Sequence, residues 1–132
     1  VYEVHGGPAH HHCTKCHAEY GYDYVAPIVR AGEVPRCTKC GGVIKPDIVF
    51  YGENLDENVL QSAWRDFSNT DLCLVLGSSL VVQPAASFPV IAFRNGAKVV
   101  IVNAQPTSQD YYATLRFDDL GQTFEALSKV YG

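Results

Sequence analysis

The chain has 132 residues, 47% of them hydrophobic and 18% charged, a balance that suits one globular unit or one compact domain with a small satellite. Ten Lys and Arg against fourteen Asp and Glu leave a net charge of −4 with no basic run, so the electrostatic footprint of a nucleic-acid binder is missing. The longest apolar runs, 72–76 and 99–102, fall far short of the roughly 18 residues that cross a bilayer, and no signal peptide or lipidation motif is visible, so a membrane is not expected as a partner.

Residues 1–46 are punctuated by Gly6-Gly7-Pro8, Gly32, Pro35, Gly41-Gly42 and Pro46, and read as a loop-rich module. Tyr2 and Val4 suggest the end of a strand running into His5. The glycines behind His5 allow a ligand close approach, and an imidazole that titrates near neutral pH is a candidate general base. Next come two knuckles, Cys13-x2-Cys16 and Cys37-x2-Cys40, each opening with Cys-Thr-Lys-Cys and each able to aim two thiolates at one point. Together they predict one tetrahedral four-cysteine site, most simply for a single structural zinc, with no open position for a reactive water.

Three rival readings of the cysteines explain less. Cys13-x2-Cys16-His17 matches a c-type haem attachment, which leaves Cys37 and Cys40 unexplained in a chain with no methionine. A redox dithiol would sit at a helix start after a buried strand, which neither pair does. Iron in the same cage remains open on spacing alone. Four paired cysteines and one left over fit a metal site in a reducing compartment better than a secreted disulfide framework, so a cytoplasmic setting is expected, with a nucleus as the eukaryotic variant. His10, His11 and His12 are redundant beside a complete thiolate set and read as solvated loop residues.

The run from Pro46 to Glu53 is either a strand and turn leading onward or an extended edge that could pair with a peptide. From here the texture changes to α/β. Val59, Leu60, Ala63, Trp64 and Phe67 mark one face of a helix over 56–68, capped by Asn54 or Asp56. Residues 71–77 form an almost wholly apolar run ending in glycine, expected as a strand covered on both faces, with Cys73 a buried core thiol. A helix over 85–94 is weakened by Pro89 and stopped at Asn95-Gly96; a second buried strand spans 97–102, a third is possible at 114–117, and a helix at 123–130 closes the chain.

Strand, helix, strand with both strands apolar implies a parallel pair. In such sheets the ligand lies beyond the carboxyl ends of the strands. That rule selects Gly77-Ser78-Ser79 and Asn103-Ala104-Gln105, which could contact phosphate or ribose or serve as ordinary turns. No G-x-G-x-x-G fingerprint is present.

Taken together, Val4-His5-Gly6, the two knuckles, the stretch from Lys45 to Glu53, Gly77-Ser78-Ser79-Leu80 and Val100-Ile101-Val102-Asn103 resemble the sirtuin family of NAD-dependent protein deacylases, in order and through nearly the whole chain. The resemblance implies an α/β fold, a partial Rossmann-like parallel sheet with helices plus a small four-cysteine zinc-ribbon module. Residues 1–8 and 47–132 would belong to the NAD domain and 9–46 to the zinc module. It implies an enzyme that uses NAD as cosubstrate to remove acetyl or other acyl groups from lysine in a protein or peptide, giving nicotinamide and O-acyl-ADP-ribose, with the catalytic base at His5. Val49, Phe50, Tyr51, Gly52 and Glu53 would line the acyl-lysine and pair with the peptide, with Val82 and Gln83 opposite. Gly77, Ser78, Ser79 and Asn103 would hold NAD, joined at adenine by Asp119 and Leu120. Tyr51 stands where phenylalanine is common in the family, and Leu120 where another side chain is.

The family's Gly-Ala-Gly phosphate loop, Pro-Asp-Phe-Arg stretch and Gln-Asn-x-Asp pocket precede the histidine and are not in these 132 residues. The chain alone is therefore expected to bind NAD weakly and to be silent as a deacylase, like a zinc-stapled binding module. ADP-ribosyl transfer to protein stays open within the family, and nothing indicates an oligomeric state.

Overall fold

The computed structural model describes residues 1–131, which divide into two compact units, Val1–Val59 and Leu60–Gly132. In the first unit, β1 (Gly6–Cys13) is flanked by β2 (Glu19–Gly21) and β3 (Ile44–Ile48), both antiparallel, giving the order β2-β1-β3. The register between β1 and β3 shifts between Gly7 and His11. Gly6 sits at φ +69° with its Cα against β3, where an added Cβ would lie 1.8 Å from the Asp47 carbonyl oxygen, so only glycine closes this pairing.

The expectation of a loop-rich segment is corrected here, because 6–13 is a strand and 22–30 a helix. Helix α1 (Tyr22–Arg30) contains Pro27, yet needs few internal hydrogen bonds at nine residues and turns Val25 into the unit's core. Glu33 N–H donates to Ile28 C=O at 3.1 Å and Gly32 N–H to Val29 C=O at 2.9 Å, a Schellman closure at the glycine. Residues 1–3 carry no strand either, and Val4 and His5 form a turn ahead of β1.

Helix α2 (Glu57–Ser68) begins where Asp56 accepts from the Asn58 and Val59 amides at 2.8 and 3.1 Å. The second unit centres on a parallel sheet, β4 (Leu72–Leu76), β5 (Lys98–Val102) and β6 (Leu115–Phe117), with β5 in the middle. A 3-10 turn at Ala85–Ser87 precedes α3 (Phe88–Arg94), so the expected 85–94 helix is split where Pro89 forbids continuous α-helical bonding. Helix α3 packs on β4 and β5, and Cys73, Val75, Ala86, Ala92, Val99 and Ile101 form the core, with Phe67 stacked on Phe88 at 5.0 Å.

Coverage of β4 on both faces is also corrected. Cys73 and Val75 are buried, while Leu72, Leu74 and Leu76 are 50%, 51% and 44% exposed, because among the described residues only one face of the strand carries a helix. Helix α4 (Leu120–Tyr131) starts earlier than expected. Asp119 accepts from the Gln122 amide at 2.8 Å and caps it.

Candidate functional site

The duplicated Cys-Thr-Lys-Cys folds twice in one shape. Cys13 N–H donates to Ala18 C=O and His17 N–H to Cys13 C=O; Cys37 N–H donates to Gly42 C=O and Gly41 N–H to Cys37 C=O, all between 2.7 and 3.0 Å. His17 and Gly41, the residues after each knuckle, both have positive φ, 56° and 70°. In each turn an amide faces the first sulfur, Lys15 to Cys13 and Lys39 to Cys37, both at 3.4 Å. The four Sγ atoms lie within 4.8 Å of one another, with Cys13 to Cys40 and Cys16 to Cys37 at 3.5 Å.

That spacing suits a tetrahedral ion, since thiolates about 2.3 Å from zinc stand about 3.8 Å apart. The ionisation of the bare thiols argues the same way. The Tyr20 hydroxyl, donating to Cys37 at 3.1 Å, holds that thiol down to about 6. The Gly42 amide favours the Cys40 thiolate, but the Cys16 and Cys13 sulfurs beside it prevail and push Cys40 up to about 12. Four neighbouring sulfurs resist ionising together unless a cation sits among them. Gly42 belongs to the cage as well: a Cβ there would meet Cys13 Sγ at 2.7 Å. The cluster is thus compatible with one structural zinc.

The first unit also carries the candidate base and the candidate peptide segment. Val49 N–H donates to His5 C=O at 2.9 Å, which ties the histidine's backbone to the segment after β3. The His5 ring is half-buried, and its Nε2 is buried without a hydrogen-bond partner. Phe50 and Tyr51 are exposed, Tyr51 at 97%, and Gly52 and Glu53 complete a turn rather than a strand.

The three neighbouring histidines are not loop residues. His11 is 5% exposed on β1, while His10 and His12 point outward, His10 Nδ1 lying 3.4 Å from Glu19 and His12 Nδ1 2.7 Å from Asp47. The hydrogen bond to Asp47 raises the His12 pKa above its ordinary value.

The second unit gathers the other residues singled out in the sequence at the carboxyl ends of its strands. Gly77 N–H donates to Val102 C=O at 2.9 Å, linking the ends of β4 and β5, and Ser78 Oγ accepts from the Leu80 amide at 3.3 Å. Leu120 Cδ1 lies 3.4 Å from where a Gly77 Cβ would be, so these two residues adjoin, and the Asp119 carboxylate is engaged as the α4 cap. Asn103 N–H donates to Phe117 C=O at 3.0 Å and its side-chain amide to Gln105 C=O at 2.7 Å. Val82 and Gln83 are exposed, and Val82 C=O accepts from the Ala86 amide. Ser79 is exposed beside them.

Sequence reasoning passed over the residues that brace these loops. Arg116 donates to Asp110 at 2.9 Å, to the Asn103 carbonyl at 3.0 Å and to Asp118. Thr107, donating to Asp110 at 2.6 Å, and then Arg116 hold the Asp110 carboxyl below its ordinary value. No spacing rule announces a network that joins a short strand to the turns around it. Tyr20 gave no signal either, because its strand was not recognised.

The model of the Sir2 family matches residues 1–84. An NAD-dependent protein deacetylase of Thermotoga maritima is 42% identical over 118 residues, covering 89% of this chain and 48% of the relative. An NAD-dependent protein deacylase 2 of Archaeoglobus fulgidus is 40% identical over 131 residues, covering 98% of this chain and 51% of the relative. Among solved structures, Sir2Tm bound to a propionylated peptide superposes with a TM-score of 0.92 at 39% identity, covering 100% of this chain and 56% of that one. A Sir2 complex with p53 peptide and NAD+ superposes at 0.88 and 38% identity, covering 98% and 55%. The chain spans about half the length of the relatives it matches.

Proposed function

The chain belongs to the Sir2 family, and from that premise we propose that it carries the catalytic base, the peptide-pairing segment and part of the NAD site of a protein-lysine deacylase. The observation that carries this reading is His5. Its backbone is bonded to Val49 at the head of the candidate peptide segment, while its buried Nε2 has no other employment. NAD, as cosubstrate, supplies the ribose carbon to which the acyl oxygen is joined as nicotinamide leaves. His5 would accept a proton from a ribose hydroxyl so that the hydroxyl oxygen bonds to the acyl carbon, the carbon–nitrogen bond to lysine breaks, and a water molecule completes the release of free lysine and O-acyl-ADP-ribose. Val49, Phe50, Tyr51, Gly52 and Glu53 pair with the substrate backbone and line the acyl-lysine, and Val82 and Gln83 also bind the peptide. Gly77, Ser78, Ser79, Asn103, Asp119 and Leu120 contact NAD, the first two strand ends doing so as the parallel-sheet rule requires.

Cys13, Cys16, Cys37 and Cys40 hold one zinc, which organises residues 9–46 and takes no part in the chemistry; residues 1–8 and 47–132 belong to the NAD domain. The overall change is a group transfer to ADP-ribose that also hydrolyses the lysine amide. A four-cysteine ligand set, which binds metal as thiolates, supports a cytoplasmic setting.

The test compares the full gene product, its His5→Ala variant and the 132-residue chain in NAD-dependent deacetylation of an acetyl-lysine peptide. Loss of a general base should lower kcat by about 10²- to 10⁴-fold. Equal turnover with and without His5 would remove it from the role. The 132-residue chain by itself should be inactive, and robust turnover by it would contradict that.

A further inference from the structure

Among the described residues the segment after β3 has no strand partner beyond the Val49 amide's bond to His5 C=O, and its Phe50 and Tyr51 side chains are exposed. A stretch of this kind would lose much conformational freedom on pairing with a peptide unless something already held it. The Lys45 ammonium does so. Its Nζ donates to Ile48 C=O at 2.7 Å, to Glu53 Oε2 at 2.9 Å and to Pro46 C=O at 3.5 Å, and lies 4.4 Å from the centre of the Phe50 ring. Glu53 Oε2 also accepts the Phe50 amide at 2.9 Å, and Glu53 N–H donates to Phe50 C=O at 3.0 Å. The Glu53 carboxylate is thus turned back onto its own segment.

We propose that Lys45 and Glu53 are positioning residues that pre-form the turn 49–53 for the acylated peptide, a reading that rests on the function proposed above. The geometry explains why a lysine stands at 45. An ammonium is a compact charge with three donors, able to satisfy converging carbonyl and carboxylate acceptors that a planar guanidinium meets less well. The pair is partly withdrawn from solvent, the Lys45 side chain being 29% exposed and that of Glu53 45%, so it keeps more of its attraction than a free surface pair. Glu53, on this view, contributes its backbone to the peptide site while its carboxylate, turned onto Lys45 and the Phe50 amide, shapes that site.

The experiment measures steady-state kinetics and peptide affinity in the full gene product. Lys45→Met should raise the peptide KM and Kd by about tenfold, the worth of one charge-assisted hydrogen bond, with kcat and the KM for NAD within about twofold. Glu53→Ala should do the same, and the double variant should be no worse than either single one, because the two act as a unit. Lys45→Arg, which keeps the charge opposite Glu53, should return the KM to within about threefold of wild type. Zinc content and thermal midpoint serve as controls. Unchanged peptide KM in the variants of an active wild type would overturn the clamp alone, as would a parallel fall in kcat, zinc content and midpoint. A wild-type product that neither binds nor turns over the peptide would overturn the functional reading, and the clamp with it.

Discussion

The two units reach stability by different routes. Val1–Val59 buries few large apolar side chains: Val25 and Ile44 pack around Cys13 and Cys37, and two short antiparallel pairings and one helix converge on a sulfur cluster. Leu60–Gly132 is built around β5, whose Val99 and Ile101 are fully buried in the core with Cys73, Val75 and Ala92. A small unit that cannot bury enough surface can substitute metal–ligand bonds for it. A parallel sheet has no such option and must be covered by helices.

The largest expected effect comes from removing the metal. A structural zinc contributes roughly 10 kcal/mol or more in small metal-dependent folds, so chelation or Cys37→Ser should unfold 6–48 while 72–117 keeps its protection. Segment-resolved hydrogen exchange checks this; protection lost in both units at once would abolish the distinction, and so would its retention in both. Zinc should be recovered at about one per chain.

Next in size is the converse experiment. Ile101→Ala removes most of a fully buried side chain and should cost about 2–5 kcal/mol in the second unit, read from denaturant midpoints, while zinc content stays the same. A parallel loss of zinc would mean the units depend on one another.

The smallest effects sharpen the contrast by opposite signs of pH dependence. The His12 pKa is raised by its hydrogen bond to Asp47, so its contribution is complete below about 6.5 and is lost as pH rises through the folded value. Asp110 is lowered by Thr107 and then Arg116, so its contribution is present above about 3.8 and is lost as pH falls through the folded value. Between pH 6 and 8 the protection of β1, corrected for the intrinsic pH dependence of exchange, should fall slightly with rising pH, and His12→Gln should flatten the response. In acid the β5–β6 connection should loosen first, and Asp110→Asn should flatten that response. Both groups are half-buried, and reversed slopes in either segment would contradict the pairing.

Legibility in the sequence tracked the range of the interactions. The knuckles could be read because both ligands of each pair come from four consecutive residues, and helix 57–68 because its face and its cap at Asp56 are local. Strand β1 was hidden by Gly6, Gly7 and Pro8, which signal turns on their own and become a strand only when β3 lies alongside. Helix α1 was hidden by Pro27 among tyrosines, and its stop at Gly32 carried meaning only once the helix was there. Exposure of one face of β4 was beyond reach, because an all-apolar run looks the same whether one face is covered or two.

The sequence alone therefore determined the metal-ligand set, the parallel α/β character and the residues at the strand ends, since each depends on spacing or on a short run of one residue type. Tertiary structure decided which residues brace those groups. Tyr20 reaches Cys37 across 17 residues, Arg116 gathers Asn103, Asp110 and Asp118, and Lys45 closes on Glu53. Such contacts are made by side chains whose partners become neighbours only after the backbone has folded, and no periodicity records them.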